Sequence, residues 1–434
     1  MKKRRKKSQK LISVLLAFTF LLFVFTIGSA EAFAQTLERK VIKIGVAAAL
    51  KKPYGVASLR GAEMAAKEIN DAGGVFGAKI QLVSADTEAT APKATEAIEK
   101  LYYSDKVDTI VGAYSSEEAT AFQEQSAKLK LNIIFHGTTG ILDKKYDADP
   151  VKYKYYWTYI PSAFQYAKNV MDEQFPLLVD GLKKGLGLAK INVAVFTDAA
   201  LWTEEMHGIY IDGVKKHPYC NLVYTGKVSR DAVDFTAELT EMRKKDVQLV
   251  LLACGYAAGI SLQKQAYDVK FPALIAGMNA LAWGVSDFIK AVGVDAAAYL
   301  TTAGFSGAMP TTPNTVRLLK EYERIYGGSP HFDVGLAYNG VKAYAKAVEM
   351  ARSLNQDKVA QALGKVRLTE NEAWGAKAFW FEDNHRLRVS QTDGLIFYTF
   401  QFKPTGGTNM LLPTEYKTGD LLIPPWMVKA WEKK

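Results

Sequence analysis

Residues 107–140 read VDTIVGAYSSEEATAFQEQSAKLKLNIIFHGTTG, and the patterns inside this stretch decide the fold. Thr109–Gly112 and Asn132–Phe135 are short apolar runs without polar alternation, as expected of parallel strands covered on both faces. Between them the turn Tyr114-Ser115-Ser116 leads into a helix, and the second strand runs into Gly137-Thr138-Thr139-Gly140. In a parallel sheet the carboxyl ends of all strands open on one edge, where ligands bind at the switch point. Ser116, Thr138 and Thr139 are therefore expected to converge beside the unpaired N–H groups that open the helix at Ser116. Hydroxyls next to a helix N-terminus form a receptor for a small anion such as a carboxylate. The same residues could instead do no more than cap the helix and close a turn.

Upstream, Val41–Val46 predicts the first strand, followed by a loop, Leu50-Lys-Lys-Pro-Tyr-Gly55. Ala62, Ala65, Ala66 and Ile69 recur at helical spacing, and Gly73 is expected just past the stop. Lys79–Val83 predicts a strand, and Thr90 with Pro92 opens a helix that buries Ala94, Ala97, Ile98 and Leu101. The series is βαβαβαβ, a doubly wound parallel domain. Downstream, Leu142–Lys154 reads as a loop and Tyr155–Tyr159 as an aromatic strand. The alternation then restarts with strands at Asn192–Phe196, Leu222–Thr225, Leu249–Ala253, Ala273–Ala276 and Tyr299–Ala303. That is a second domain of the same pattern. Helices follow at Val316–Tyr326 and Asp333–Leu354, then short strands at Ala378–Phe381 and Gly394–Phe402.

The first 34 residues stand apart from the fold. Seven basic residues within MKKRRKKSQK precede an apolar run, Leu11–Gly28, and Ala32-Phe-Ala34, the layout of an export signal cleaved near Ala34-Gln35. Removing residues 1–34, with seven Lys/Arg and one Glu, lowers the formal charge from +10 to +4. No basic face remains that would argue for nucleic acid. Some four hundred mature residues suggest two domains. Cys220 precedes one predicted strand and Cys254 ends another, so parallel strands would hold the sulfurs at opposite edges, as two free thiols.

The segments IKIGV, Pro53-Tyr54-Gly55, RGAEMAAKEINDAGGVFGAKIQLVSAD, TIVGAYSS and the Gly-Thr-Thr turn resemble the branched-chain amino acid type of periplasmic solute-binding protein. The resemblance spans residues 40–434 in element order. It implies two α/β lobes joined by three crossovers that close on a ligand, with lobe one at 35–158 and 308–375 and lobe two at 159–307 and 376–434. It further implies that Ser116 and Gly137-Thr138-Thr139 hold a ligand carboxylate and that Tyr54 lines the side-chain pocket. Trp202 and Tyr256 would close over the ligand from lobe two.

Several positions depart from the family pattern. Where amino-acid binders place an acid for the ligand ammonium, this chain has Asn279. Losing that charge-assisted hydrogen bond costs about 1.5–3 kcal/mol. Glu117 and Glu118 are substitutes by position, although first-turn carboxylates usually serve the helix dipole. Lys51 and Lys52 replace small polar residues, as a solvated pair or as groups that steer anions inward. Trp157 and Tyr159 read as packing, with ligand contact as the sharper alternative.

Catalytic signatures are missing from the pattern. The five histidines show no HExxH spacing, and Gly304-Phe-Ser306-Gly307-Ala308 lacks the final glycine of a nucleophile elbow. The expectation is an exported, monomeric, non-enzymatic receptor without cofactor or metal, delivering a small carboxylate-bearing ligand to an inner-membrane ABC permease. A hydrophobic or branched-chain amino acid is the default ligand. An amine-free aromatic or keto acid, a small amide, or a sensing role remains as the alternative.

Overall fold

A computed structural model describes residues 39–305 and 308–432; the expected leader, 1–34, lies outside them. Strand β1 (Val41–Ala48) pairs in parallel with β2 (Lys79–Asp86) on one side and β3 (Thr109–Gly112) on the other. β4 (Ile133–Phe135) and β5 (Tyr156–Thr158) complete a five-stranded parallel sheet in the order β2-β1-β3-β4-β5. β3, β4 and β5 are buried throughout, which accounts for their unbroken apolar sequence. The second sheet joins β6 (Ile191–Asp198), β7 (Cys220–Val228), β8 (Leu249–Cys254) and β9 (Leu274–Asn279), all parallel, in the order β7-β6-β8-β9. β7 and β8 flank β6 on opposite sides, so Cys220 and Cys254 are both free and buried. Burial pushes the Cys220 thiol up to about 12 and the Cys254 thiol well above its usual range, leaving both unreactive.

The remaining strands are β10 (Thr301–Gly304), β11 (Leu368–Thr369), β12 (Ala378–Phe379), β13 (Tyr398–Phe402) and β14 (Thr408–Leu412). Here the sequence reading needs correction. The run expected at Tyr299–Ala303 does not extend the parallel ladder. β10 pairs antiparallel with β13, and β13 with β14. It lies beside β9 through a side chain, the Asn279 N–H donating to Thr302 Oγ1 at 3.0 Å. The partner arrives from nearly one hundred residues away, a pairing invisible in local pattern. The expected loop at 142–154 also contains a helix, Ile141–Ala148, anchored by buried Leu142 and half-buried Tyr146 while its other residues are charged or exposed.

The late helices Pro313–Tyr326 and Phe332–Ala351 return to the first sheet, where Arg317 and Lys342 both pair with Glu68. The helix Pro53–Asp71 runs against Phe332–Ala351 closely enough that a Cβ on Gly61 would stand 2.1 Å from the Val334 carbonyl oxygen. Beyond β12 the chain continues along β5, with Thr158 N–H donating to the His385 carbonyl and His385 stacked on Trp157 at 3.7 Å. The boundary expected at 375/376 therefore falls inside a stretch that still packs on the first sheet.

That returning stretch carries Arg386, a guanidinium 1% exposed. It donates to the carbonyls of Gly137 and Thr139 (2.8 Å for Thr139) and pairs with both oxygens of Asp143, at 2.6 and 2.8 Å. One buried cation thus ties the Gly137–Thr139 turn to the returning stretch, beside the Leu142 and Ala163 N–H groups that donate to the Thr139 and Thr138 carbonyls.

Two outcomes test this packing. Gly61→Ala should lower the unfolding free energy by about 1–3 kcal/mol in urea titration, because the helices must separate to admit the methyl group. Arg386→Met should cost about 1.5–3 kcal/mol by the same measurement, since it leaves the partly exposed Asp143 carboxylate and the Gly137 carbonyl without their donor. A loss below about 1 kcal/mol for Arg386→Met would mean the turn is held by something else.

Candidate ligand-binding cleft

Parallel pairing sets which residues meet. Gly112 is paired with Phe135 and Phe135 with Thr158, so the segments that follow β3, β4 and β5 leave the first sheet at one edge. In the second sheet Thr197 is paired with Ala253 and Cys254 with Asn279, so the segments after β6, β8 and β9 do the same. The two edges face each other across a cavity with about 380 Å³ of empty volume, part of it open to solvent. From the first side come Tyr114, Ser116, His136, Thr138 and Ile160, and from the second Trp202, Gly255, Tyr256, Ala280 and Trp283. Tyr166 and Phe332 complete the wall. The lining, mostly apolar with a few polar groups, is that of a small-molecule site.

Ser116 and Thr138, expected from sequence, both line this cavity, as do Trp202 and Tyr256. Ser115 rather than Ser116 is the N-cap of the helix Ser116–Leu129: its hydroxyl accepts from Glu118 N–H while Glu118 accepts from Ser115 N–H at 2.9 Å. Ser116 is thereby released from capping duty. The same box removes Glu118 from consideration as a ligand group, because its carboxylate is fully buried on the Tyr114 and Ser115 amides and the Thr87 hydroxyl. Glu117 faces the opposite lobe, where Arg230 lies 3.3 Å away. Arg230 also covers the Tyr256 ring at 4.8 Å.

Other expected residues stand behind the wall. Tyr54 stacks on Tyr114 at 3.9 Å, and Tyr114 is the ring exposed to the cavity. Burial, with Glu118 and Asp333 nearby, pushes the Tyr54 phenol up to about 12. Gly137 and Thr139 form the turn held by Arg386, and Thr139 Oγ1 accepts from Ile141 N–H at 3.3 Å. Asn279 turns away: its Nδ2 donates to Gly259 O at 3.3 Å, and the cavity meets Ala280 instead. Trp157 donates to Asn132 Oδ1 and Tyr159 to Gly112 O, both as core groups. Lys51 is paired with Asp86 at 3.6 Å on the surface, and Lys52 is exposed.

Sequence reading missed His136, Tyr166, Trp283 and Phe332. His136 could have been found, for it directly follows β4 at the same edge as Ser116. Trp283 carries the same signal in the turn after β9, whereas Tyr166 and Phe332 sit on the helices Ala163–Asn169 and Phe332–Ala351. Trp283 belongs to a short turn, Ala280–Trp283, and packs against Gly304, where a Cβ would stand 2.1 Å from the indole. Phe332 opens its helix, and the next residue, Asp333, is fully enclosed. Asp333 Oδ1 lies 2.9 Å from His136 Nδ1; its other oxygen is 3.1 Å from His331 Nδ1, near enough for ion pairing though without hydrogen-bond alignment. Burial pushes the Asp333 carboxyl up, but the two imidazoles outweigh it and hold the group below the usual carboxylate range. Across the cleft, Asp198 accepts from Gly255 N–H at 2.8 Å, while burial pushes its carboxyl up.

A family model for periplasmic binding proteins matches residues 41–401. The Leu/Ile/Val-binding protein homolog 8 of Brucella melitensis is 23% identical over 341 residues, covering 76% of this chain and 81% of that protein. The branched-chain amino acid transporter substrate-binding protein of Streptococcus pneumoniae, solved in complex with isoleucine, superposes with a TM-score of 0.70 at 20% identity, over 86% of this chain and all of the other. A solute-binding protein of an ABC transporter from R. palustris, solved in complex with benzoate, gives 0.68 at 16% identity, over 89% of this chain and 99% of the other. Such identities speak for a shared fold. The match of the family model over most of the chain, together with two parallel sheets facing across a lined cleft, makes this protein a member of the periplasmic binding protein family.

Proposed function

We infer that this protein is an exported solute receptor of an ABC importer whose ligand is a small aromatic or apolar carboxylate lacking an amine. One observation carries the choice of ligand: among the described residues, none that lines the cavity is acidic. A buried ammonium without a carboxylate partner forfeits the strong half of its recognition. Asp333, fully enclosed beside the cleft, bonds His136 through Oδ1, and Asn279 is turned onto a backbone carbonyl. The wall instead offers Tyr114, Tyr166, Trp202, Tyr256, Trp283 and Phe332, rings suited to an aromatic or branched apolar body. Ser116 at a helix start and Thr138 supply donors for an anionic end. The buried Tyr166 hydroxyl has no partner among the described residues and remains available to a ligand oxygen.

Kinship supports transport. The benzoate complex of the R. palustris protein shows that this fold accommodates an amine-free aromatic acid, and the isoleucine complex favours the second reading, a branched-chain amino acid. Export rests on the leader-like residues 1–34; no helix among the described residues is long and apolar enough to cross a membrane.

A thermal-shift and calorimetric panel of benzoate, phenylacetate, keto acids, leucine and isoleucine decides between them. Benzoate-type acids should bind at least tenfold tighter than leucine, and a ligand at 100 times its Kd should add about 2.7 kcal/mol of stability. Preference for leucine would replace the first reading by the second. Ser116→Ala should weaken the bound acid by about 1–3 kcal/mol while leaving unliganded stability nearly unchanged.

A further inference from the structure

The cleft must accommodate negative charge with little positive charge to meet it. Asp333 is already there, enclosed at the start of the helix Phe332–Ala351. On the carboxylate reading above, on which this inference rests, the ligand brings a second anion to Ser116 and Thr138. Among the described residues, none that lines the cavity is Lys or Arg. Arg386 lies behind the turn and is committed to Asp143, and Arg230 sits over Tyr256 beside Glu117. Two carboxylates in a desolvated space repel unless a proton or a cation comes between them.

His136 is the lining residue able to supply that charge. Its Nδ1 is 2.9 Å from Asp333 Oδ1, so the carboxylate fixes the ring with Nδ1–H donated to it. Nε2 then faces Thr138, whose hydroxyl is 3.4 Å away, on the cavity side. In the neutral ring Nε2 presents a lone pair and repels a carboxylate oxygen; protonated, it becomes a donor. The other groups around the ring do not supply this proton-linked charge. Tyr114, 5.2 Å away, and Tyr159 and Tyr166 are phenols that burial keeps neutral. Phe332 is apolar, His331 caps the helix with Nδ1 accepting from Asp333 N–H at 3.4 Å, and Glu118 is held in its capping box.

We propose that His136, oriented by Asp333, pairs with the ligand's carboxylate, and that ligand and proton bind together. His136 would thus set specificity for acids over their neutral amides.

The test is calorimetric titration of the exported protein with benzoate, leucine and benzamide, in buffers of different ionisation enthalpy between pH 6 and 9. Benzoate affinity should fall toward tenfold per pH unit at the alkaline end, with proton uptake approaching one per ligand. His136→Gln should weaken benzoate at least thirtyfold, flatten the pH profile and leave benzamide binding within about twofold. If benzoate binds without proton uptake and His136→Gln matches wild type, this inference falls while the amine-free ligand reading stands. If leucine binds and benzoate does not, the ligand reading falls, and the proton count with leucine decides the role of His136 by the same criterion. Binding of neither removes both. Because the proton count is made on the unaltered protein, poor folding of the variant would not spare the proposal.

Discussion

Parallel strand pairing is the constraint on which the cleft depends. Because β1, β3, β4 and β5 run the same way, every residue that follows a strand end emerges at one edge. Tyr114, Ser116, His136, Thr138 and Ile160 are neighbours for that reason alone. β6, β8 and β9 repeat the arrangement in the second sheet, and the facing edges form two halves of one wall. Parallel strands also require long crossovers, so helices cover both faces and leave the edge as the open surface.

Desolvation then dictates how charge is arranged near that edge. Arg386, buried against a carboxylate and two carbonyls, makes the Gly137–Thr139 turn rigid. Asp333 is enclosed between two imidazoles rather than paired with a permanently charged side chain. The contrast is physical: a guanidinium keeps its charge at any accessible pH, whereas an imidazole can gain or lose it. The fixed pair suits a structural turn and the adjustable one suits a group that meets ligand. Arg230 and Glu117, which join the lobes at the mouth, are partly exposed, and solvent keeps such a pair weak enough to open.

The residues just beyond the strand ends line the cleft. This chain keeps the hydroxyls near the helix Ser116–Leu129 and replaces the expected acid with an amide that turns away. The space is taken by rings, with Gly304 and Gly255 lacking side chains where Trp283 and Trp202 approach. Aromatic packing of this kind favours a flat or branched apolar body over a compact zwitterion.

Much of this was legible in the amino-acid order. Short apolar runs separated by helical spacing announced both parallel sheets, and the position of Ser116, Thr138, Trp202 and Tyr256 just after strands placed them at the cleft. Local pattern works there because burial on two faces and strand direction act on contiguous residues. It failed where partners are remote. The antiparallel pairing of β10 with β13, the clamp of Arg386 on Gly137, and the meeting of His136 with Asp333 each join segments about one hundred residues apart or more. It also set Asn279 among the cleft residues, whereas its side chain turns onto the Gly259 carbonyl. The sequence by itself determined the architecture and the edge at which chemistry would gather, because periodicity and strand polarity are local properties. Only the tertiary structure decided which of those residues face the cavity and what charge surrounds them, because side-chain direction and desolvation depend on segments brought together by folding.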